Sequence, residues 1–249
     1  GLFCDFDGTL SRVVNDPAAA RLTARNETLL RALAQSADLV AIVSGRGVAD
    51  LAQRVGIEGL TYVGNHGLEQ WGGAQAVPVP EVAAYVEAVQ VAADELTPLL
   101  IPGMHIENKQ LTLSLHYRET ADPDGARENI LPAAQTVAST HGLALFEGRR
   151  IIELRPPIAI DKGVAFTRLV REHQLDAAVY IGDDTTDVAA FKASRTLRDA
   201  GDCRSYALGV VDGESPPEVA AYSDGVVSSV DGVSDFLAWA LSKLSASST

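Results

Sequence analysis

"CDFDGTL", residues Cys4 to Leu10, places two carboxylates, Asp5 and Asp7, two positions apart. An apolar run precedes them, and a glycine and a threonine follow. The run "GLFC" reads as a strand, so the acids fall at its carboxyl end. Like charges at that spacing repel, and a counter-charge, a cation or a proton must accompany them. Outward from this stretch the same pattern recurs. "DLVAIVSG" (38–45) is a second buried strand and "LTYVGNHG" (60–67) a third. Between them "NETLLRALAQSA" is a helix with Leu29, Leu30 and Leu33 on one face, and "VADLAQRVG" is another. Apolar strands alternating with helices predict a doubly wound parallel α/β sheet covered on both faces.

From about Pro78 the character changes. "EVAAYVEAVQVAADEL" has apolar residues at helical spacing, and "QLTLSLHYR" alternates Leu111, Leu113, Leu115 and Tyr117 with Thr112, Ser114, His116 and Arg118. A helix from about Asp124 to His141 then leads to two short strands around Gly148. This repeated helix–strand–strand pattern predicts an inserted α+β cap over residues 78–155. After Pro156-Pro157 the strand–helix alternation resumes, with "KGVAFTRLVREHQ", "AAVYIG", "DVAAFKAS", "RSYALGV", "GVVSS" and a last helix "VSDFLAWALSKL". The expected core is therefore residues 1–77 with 156–249.

Composition narrows the function classes. At 249 residues, 47% of them hydrophobic, the chain can bury a sizeable core. No run approaches the roughly 18 apolar residues of a membrane span. A formal charge of −13 argues against nucleic-acid and acidic-membrane partners. Two cysteines, Cys4 and Cys203, make neither a disulfide framework nor a zinc site, which suits a reducing, cytoplasmic setting.

Four polar features fall where ligands bind in doubly wound sheets, at the strand ends. They are Asp5 to Thr9, Ser44-Gly45-Arg46, Lys162-Gly163 and "GDDTTD" (182–187). Asp5 and Asp7, with Asp183 and either Asp184 or Asp187, supply hard oxygen ligands of the kind that hold Mg2+. "GDDTTD" also suits a helix start, with Asp184 or Thr185 as N-cap. Ser44 offers a hydroxyl and Lys162 a cation, which together can hold a phosphoryl group.

"DFDGTL", "VSGR", "DKG" and "GDDTTD", in that order, resemble the four motifs of the haloacid dehalogenase superfamily of aspartyl phosphatases. Within it, "GNHG", "ENKQLTLSLHYR" and "EGRRIIELRPP" are similar to the trehalose-6-phosphate phosphatases. The resemblance implies Asp5 as nucleophile and Asp7 as the acid and base that serves the leaving sugar oxygen and then water. It implies Mg2+ on Asp5, the Asp7 carbonyl and Asp183, with Asp187 supporting. Thr9, Ser44 and Lys162 would hold phosphate. Sugar contacts would come from Glu107, Lys109, His116, Arg118, Arg149 and Glu153, with Arg46 and His66 near the core–cap junction, and the cap would close over the sugar. Arg149 stands where that family often has Lys.

The expected activity is Mg2+-dependent hydrolysis of trehalose 6-phosphate by a monomer whose partner is a small sugar phosphate. Rival readings are a phosphatase of sucrose phosphate or mannosylphosphoglycerate type, a receiver-type signalling module, and a catalytically silent sugar-phosphate-binding domain. A receiver is too short for this chain and lacks Asp-x-Asp-Gly-Thr. A silent domain sits poorly with a full set of motif residues.

Overall fold

A computed structural model gives the structure for residues 1–14, 16–148, 150–213 and 215–247. The chain divides into two compact units, residues 1–77 with 160–249, and 78–159.

In the larger unit β1 (Leu2–Cys4), α1 (Ala24–Leu33), β2 (Val40–Val43), α2 (Val48–Val55) and β3 (Thr61–Gly64) follow in turn. Two short strands, β4 (Glu69–Trp71) and β5 (Ala76–Pro78), come next. β4 runs antiparallel to β3, so one edge of the sheet is not parallel as expected. The smaller unit contributes α3 (Val86–Leu96), β6 (His105–Asn108), β7 (Leu113–His116), α4 (Pro123–Thr140), β8 (Ala144–Gly148) and β9 (Ile151–Arg155). The larger unit resumes with α5 (Lys162–Glu172), β10 (Ala177–Gly182), α6 (Val188–Asp199), β11 (Arg204–Val211), α7 (Pro217–Tyr222), β12 (Gly225–Ser228) and α8 (Ser229–Ser247).

The large sheet has the order β12-β11-β10-β1-β2-β3-β4-β5. β1 pairs in parallel with both β2 and β10. The chain therefore winds outward one way from β1 and the other way from β10, and the crevice at that reversal is the ligand site of such sheets. Alternate strand residues serve opposite layers. Leu2, Cys4, Val40 and Ile42 pack against α1, α2 and α8. Phe3, Ala41, Val43 and Tyr180 pack against α5, α6 and α7. In that second layer Phe166 meets Phe3 and Tyr180 edge-on at 4.7 and 5.5 Å, and Tyr180 meets Phe191 at 6.0 Å. Such pairs add about 0.5–1.5 kcal/mol each beyond burial and fix the ring of Tyr180.

The smaller unit is a four-stranded antiparallel sheet of order β6-β7-β9-β8. Leu113, Leu115, Ile152 and Leu154 pack with Val89, Leu96, Ile130 and Ala134 of α3 and α4. Its helices thus cover one face of the sheet.

Candidate active site

Three neighbouring parallel strands end in the polar residues singled out from the sequence. Asp5 follows β1, Ser44 follows β2 and Asp183 follows β10. Asp5 is 5% exposed, and its amide donates to the Ile181 carbonyl at 2.9 Å. Lys162 opens α5, whose N-cap Asp161 accepts from the Val164 amide. That start carries the Lys162 ammonium into the interior, 2% exposed, 3.1 Å from Asp5 Oδ2 and 2.8 Å from Asp187 Oδ1.

The loop after β10 forms around Asp187. Asp184 caps a short 3-10 turn, Thr185–Asp187, through a capping box with Asp187. Asp187 Oδ2 accepts from the amides of Asp183 and Asp184, both at 3.1 Å. Its Oδ1 accepts from Lys162 Nζ and from the Tyr180 hydroxyl at 2.9 Å. A carboxylate has about four acceptor sites, so Asp187 is saturated by protein donors. Thr9 donates to Asp183 Oδ1 at 2.9 Å. Two glycines make room: a Cβ on Gly8, at φ +78°, would lie 2.0 Å from Asp183 Oδ2, and one on Gly182 would lie 2.3 Å from the Asp187 carboxyl carbon.

The electrostatics follow from burial. Desolvation raises the Asp5 carboxyl well above its usual range; Lys162 opposes this, while Asp187, Asp183 and Asp7 reinforce it. Asp183 is pushed up to about 7, chiefly by burial and then by Asp187. Burial alone would lower Lys162, but Asp187 and Asp5 outweigh it and keep the ammonium charged. Carboxylate oxygens of Asp5, Asp183 and Asp187 lie within 4.8 Å of one another. A set of hard oxygens whose charge the fold disfavours fits a divalent cation. With Asp187 saturated, Asp5 and Asp183 are the carboxylates that would hold it. The Asp7 carboxylate is not part of this group.

Instead, Asp7 is held by Arg46 in a bidentate pair, Nε to Oδ2 at 2.6 Å and Nη2 to Oδ1 at 2.7 Å. Arg46 also reaches Asp50 at 3.3 Å and lies 5.5 Å above the Phe6 ring. Ser44, 2% exposed, accepts from the Arg46 amide through its hydroxyl. His66 sits in the left-handed region at φ 59°, and its amide donates to the Ser44 carbonyl, so the "GNHG" loop braces the end of β2.

On the smaller unit, Glu107 of β6, His116 of β7 and Glu153 of β9 lie on the sheet face away from the helices. His116 Nε2 is 3.2 Å from Glu107. Lys109 Nζ is 3.8 Å from both Glu107 and Glu153. Arg118 lies exposed, two residues beyond the end of β7. Arg149 lies outside the described residues. Sequence reasoning passed over Tyr180, which looked like one more core residue of "AAVYIG". Its signal was a lone hydroxyl in an apolar strand, two residues before the acidic loop.

A doubly wound sheet with an Asp-x-Asp pair at the point where its strand order reverses defines the haloacid dehalogenase class of fold. Within that class the chain belongs to the trehalose-phosphatase family, whose model matches residues 3–218. It is 41% identical over 202 residues to a trehalose-phosphate phosphatase of Mycobacterium marinum, covering 77% of this chain and 50% of that protein. The chain thus spans about half the length of that curated relative. Among solved structures it is similar to the C-terminal domain of the trehalose-6-phosphate phosphatase of C. albicans, with TM-score 0.76, 25% identity, and coverage of 97% of this chain and 92% of that one. A trehalose-6-phosphate phosphatase related protein shares the fold at TM-score 0.82 and 22% identity, covering 100% of this chain and 99% of that one. No helix among the described residues is long and apolar enough to cross a membrane.

Proposed function

We propose that the chain is a phosphatase that converts trehalose 6-phosphate to trehalose and inorganic phosphate. The observation that carries this reading is Asp5, buried at the end of β1 between the Lys162 ammonium and the Asp183 carboxylate. Family membership supports the substrate. Asp5 Oδ attacks phosphorus, the bond from phosphorus to the sugar oxygen breaks, and Asp7 gives that oxygen its proton. Water then attacks the aspartyl-phosphate, giving its proton to Asp7, and the bond from phosphorus to Asp5 breaks to release phosphate. Asp5 and Asp183 would hold Mg2+, which when bound would supply charge neutralisation for the phosphoryl group. Lys162 shares that work, and the Thr9 and Ser44 hydroxyls orient the phosphoryl group.

Arg46 donates once to each Asp7 oxygen, which orients the carboxylate and leaves about two of its four acceptor sites for the sugar oxygen and water. The smaller unit supplies sugar recognition through Glu107, Lys109, His116 and Glu153, whose mixed carboxylates and cations suit hydroxyl groups. Phosphate release across a panel of sugar phosphates, with wild type and Asp5→Asn, tests the reading. Trehalose 6-phosphate is expected to be preferred, and Asp5→Asn to be inactive. Preference for another sugar phosphate sinks the substrate, and an active Asp5→Asn removes the nucleophile.

A further inference from the structure

On the smaller unit, the register of the four strands lines up one residue from each. Glu107 of β6 faces Ser114 of β7, Ser114 faces Glu153 of β9, and Glu153 faces Phe146 of β8. Three strand spacings of about 4.8 Å make this row about 14 Å long, enough for two pyranose rings. Leu145, the neighbour of Phe146, packs with the helices, so alternation turns Phe146 to the opposite face.

Phe146 is 43% exposed, a large ring standing among polar groups. The Arg155 guanidinium lies 3.5 Å from its ring centroid, while Arg155 Nη1 is 3.9 Å from Glu153. In the middle of the row the Ser114 hydroxyl is buried and has no hydrogen-bond partner among the described residues. A buried hydroxyl without a partner is uncommon and marks a place where a further polar group belongs. Hexose rings combine an apolar C–H face with a rim of hydroxyls. An aromatic ring beside a carboxylate and a guanidinium matches both parts.

We propose that Phe146, backed by Arg155, is the platform for a second hexose ring and sets the preference for disaccharide over monosaccharide phosphates. This rests on the proposed activity towards a disaccharide phosphate. Phe146 stacks on the C–H face of that ring, and Arg155 bonds its hydroxyls.

The test compares kcat/KM for trehalose 6-phosphate and glucose 6-phosphate in wild type, Phe146→Ala and Phe146→Trp, with melting curves to establish folding. Phe146→Ala is expected to lower the ratio roughly fivefold to tenfold, the scale of one aromatic contact, through KM for the disaccharide. Glucose 6-phosphate hydrolysis should be unchanged, and Phe146→Trp should restore the ratio. Equal losses on both substrates, or no loss, overturn the platform while leaving the trehalose reading intact. A wild type that prefers sucrose 6-phosphate, with that preference lost in Phe146→Ala, overturns the trehalose reading and sustains the platform. A wild type with no disaccharide preference overturns both.

Discussion

Replacing Asp183 with asparagine separates the charge of the cluster from its shape. In the folded protein without metal, burial and Asp187 push the Asp183 carboxyl from 3.8 up to about 7. The unfolded chain gives up this proton near pH 4, whereas the folded chain keeps it until about pH 7. Between those limits the native state binds more protons than the unfolded state, so stability falls as pH rises. Three pH units at 1.36 kcal/mol each set an upper limit of about 4 kcal/mol. The amide introduced by Asp183→Asn does not titrate and escapes this loss. Urea unfolding in chelator from pH 4.5 to 8 should show Asp183→Asn gaining on wild type as pH rises, with the gap levelling above about pH 8. Mg2+ should then stabilise wild type at pH 7.5 and leave Asp183→Asn nearly unmoved, because the cation takes the place of the lost proton. A gap that stays level, or that closes as pH rises, would refute the reasoning.

Two further substitutions probe the interior behind the site. Lys162→Met strips the cation from between Asp5 and Asp187 and leaves buried carboxylates uncompensated. It should cost about 3–5 kcal/mol at pH 7.5 and abolish phosphate release, which denaturant unfolding and a phosphate assay measure. Tyr180→Phe removes one of four donors to Asp187 without changing the packing volume. A bond of about 1.5 kcal/mol that orients Lys162 corresponds to roughly a tenfold fall in kcat, with KM and the circular dichroism spectrum unchanged.

The parts of the site readable in the sequence were those where a polar residue interrupts an apolar run. Asp5, Ser44, Lys162 and Asp183 each stand out because a buried strand or a helix start meets an acid, a hydroxyl or a cation. The doubly wound parallel class could be read for the same reason, since continuous apolar strands alternating with helices leave few arrangements, but the strand order at β1 and β10 came only from the structure. What escaped depends on pairings between distant segments. The Asp7–Arg46 bond joins residues 39 apart, and no local pattern announces it. β4 escaped because its Glu69 reads as a surface acid. It is instead buried, accepting from the Val48 amide and the Asn65 side chain. Asp184 and Asp187 are equivalent by spacing. Only the folded loop shows that the first caps the turn and the second is the inner acceptor.

The reversal of strand order at β1 and β10 has a bearing on how the protein is made. Thr9 and Asp183 touch although 174 residues separate them, and the whole of 78–159 is synthesised between the two halves of the centre. Closing so long a loop makes this contact late, after the local helices and the β6/β7 and β8/β9 strand pairs have formed. A nascent chain on the ribosome therefore exposes Asp5 and Asp7 as ordinary solvated acids, with nothing to bury or activate them. The acidic centre is assembled only once the segment through Asp187 has emerged.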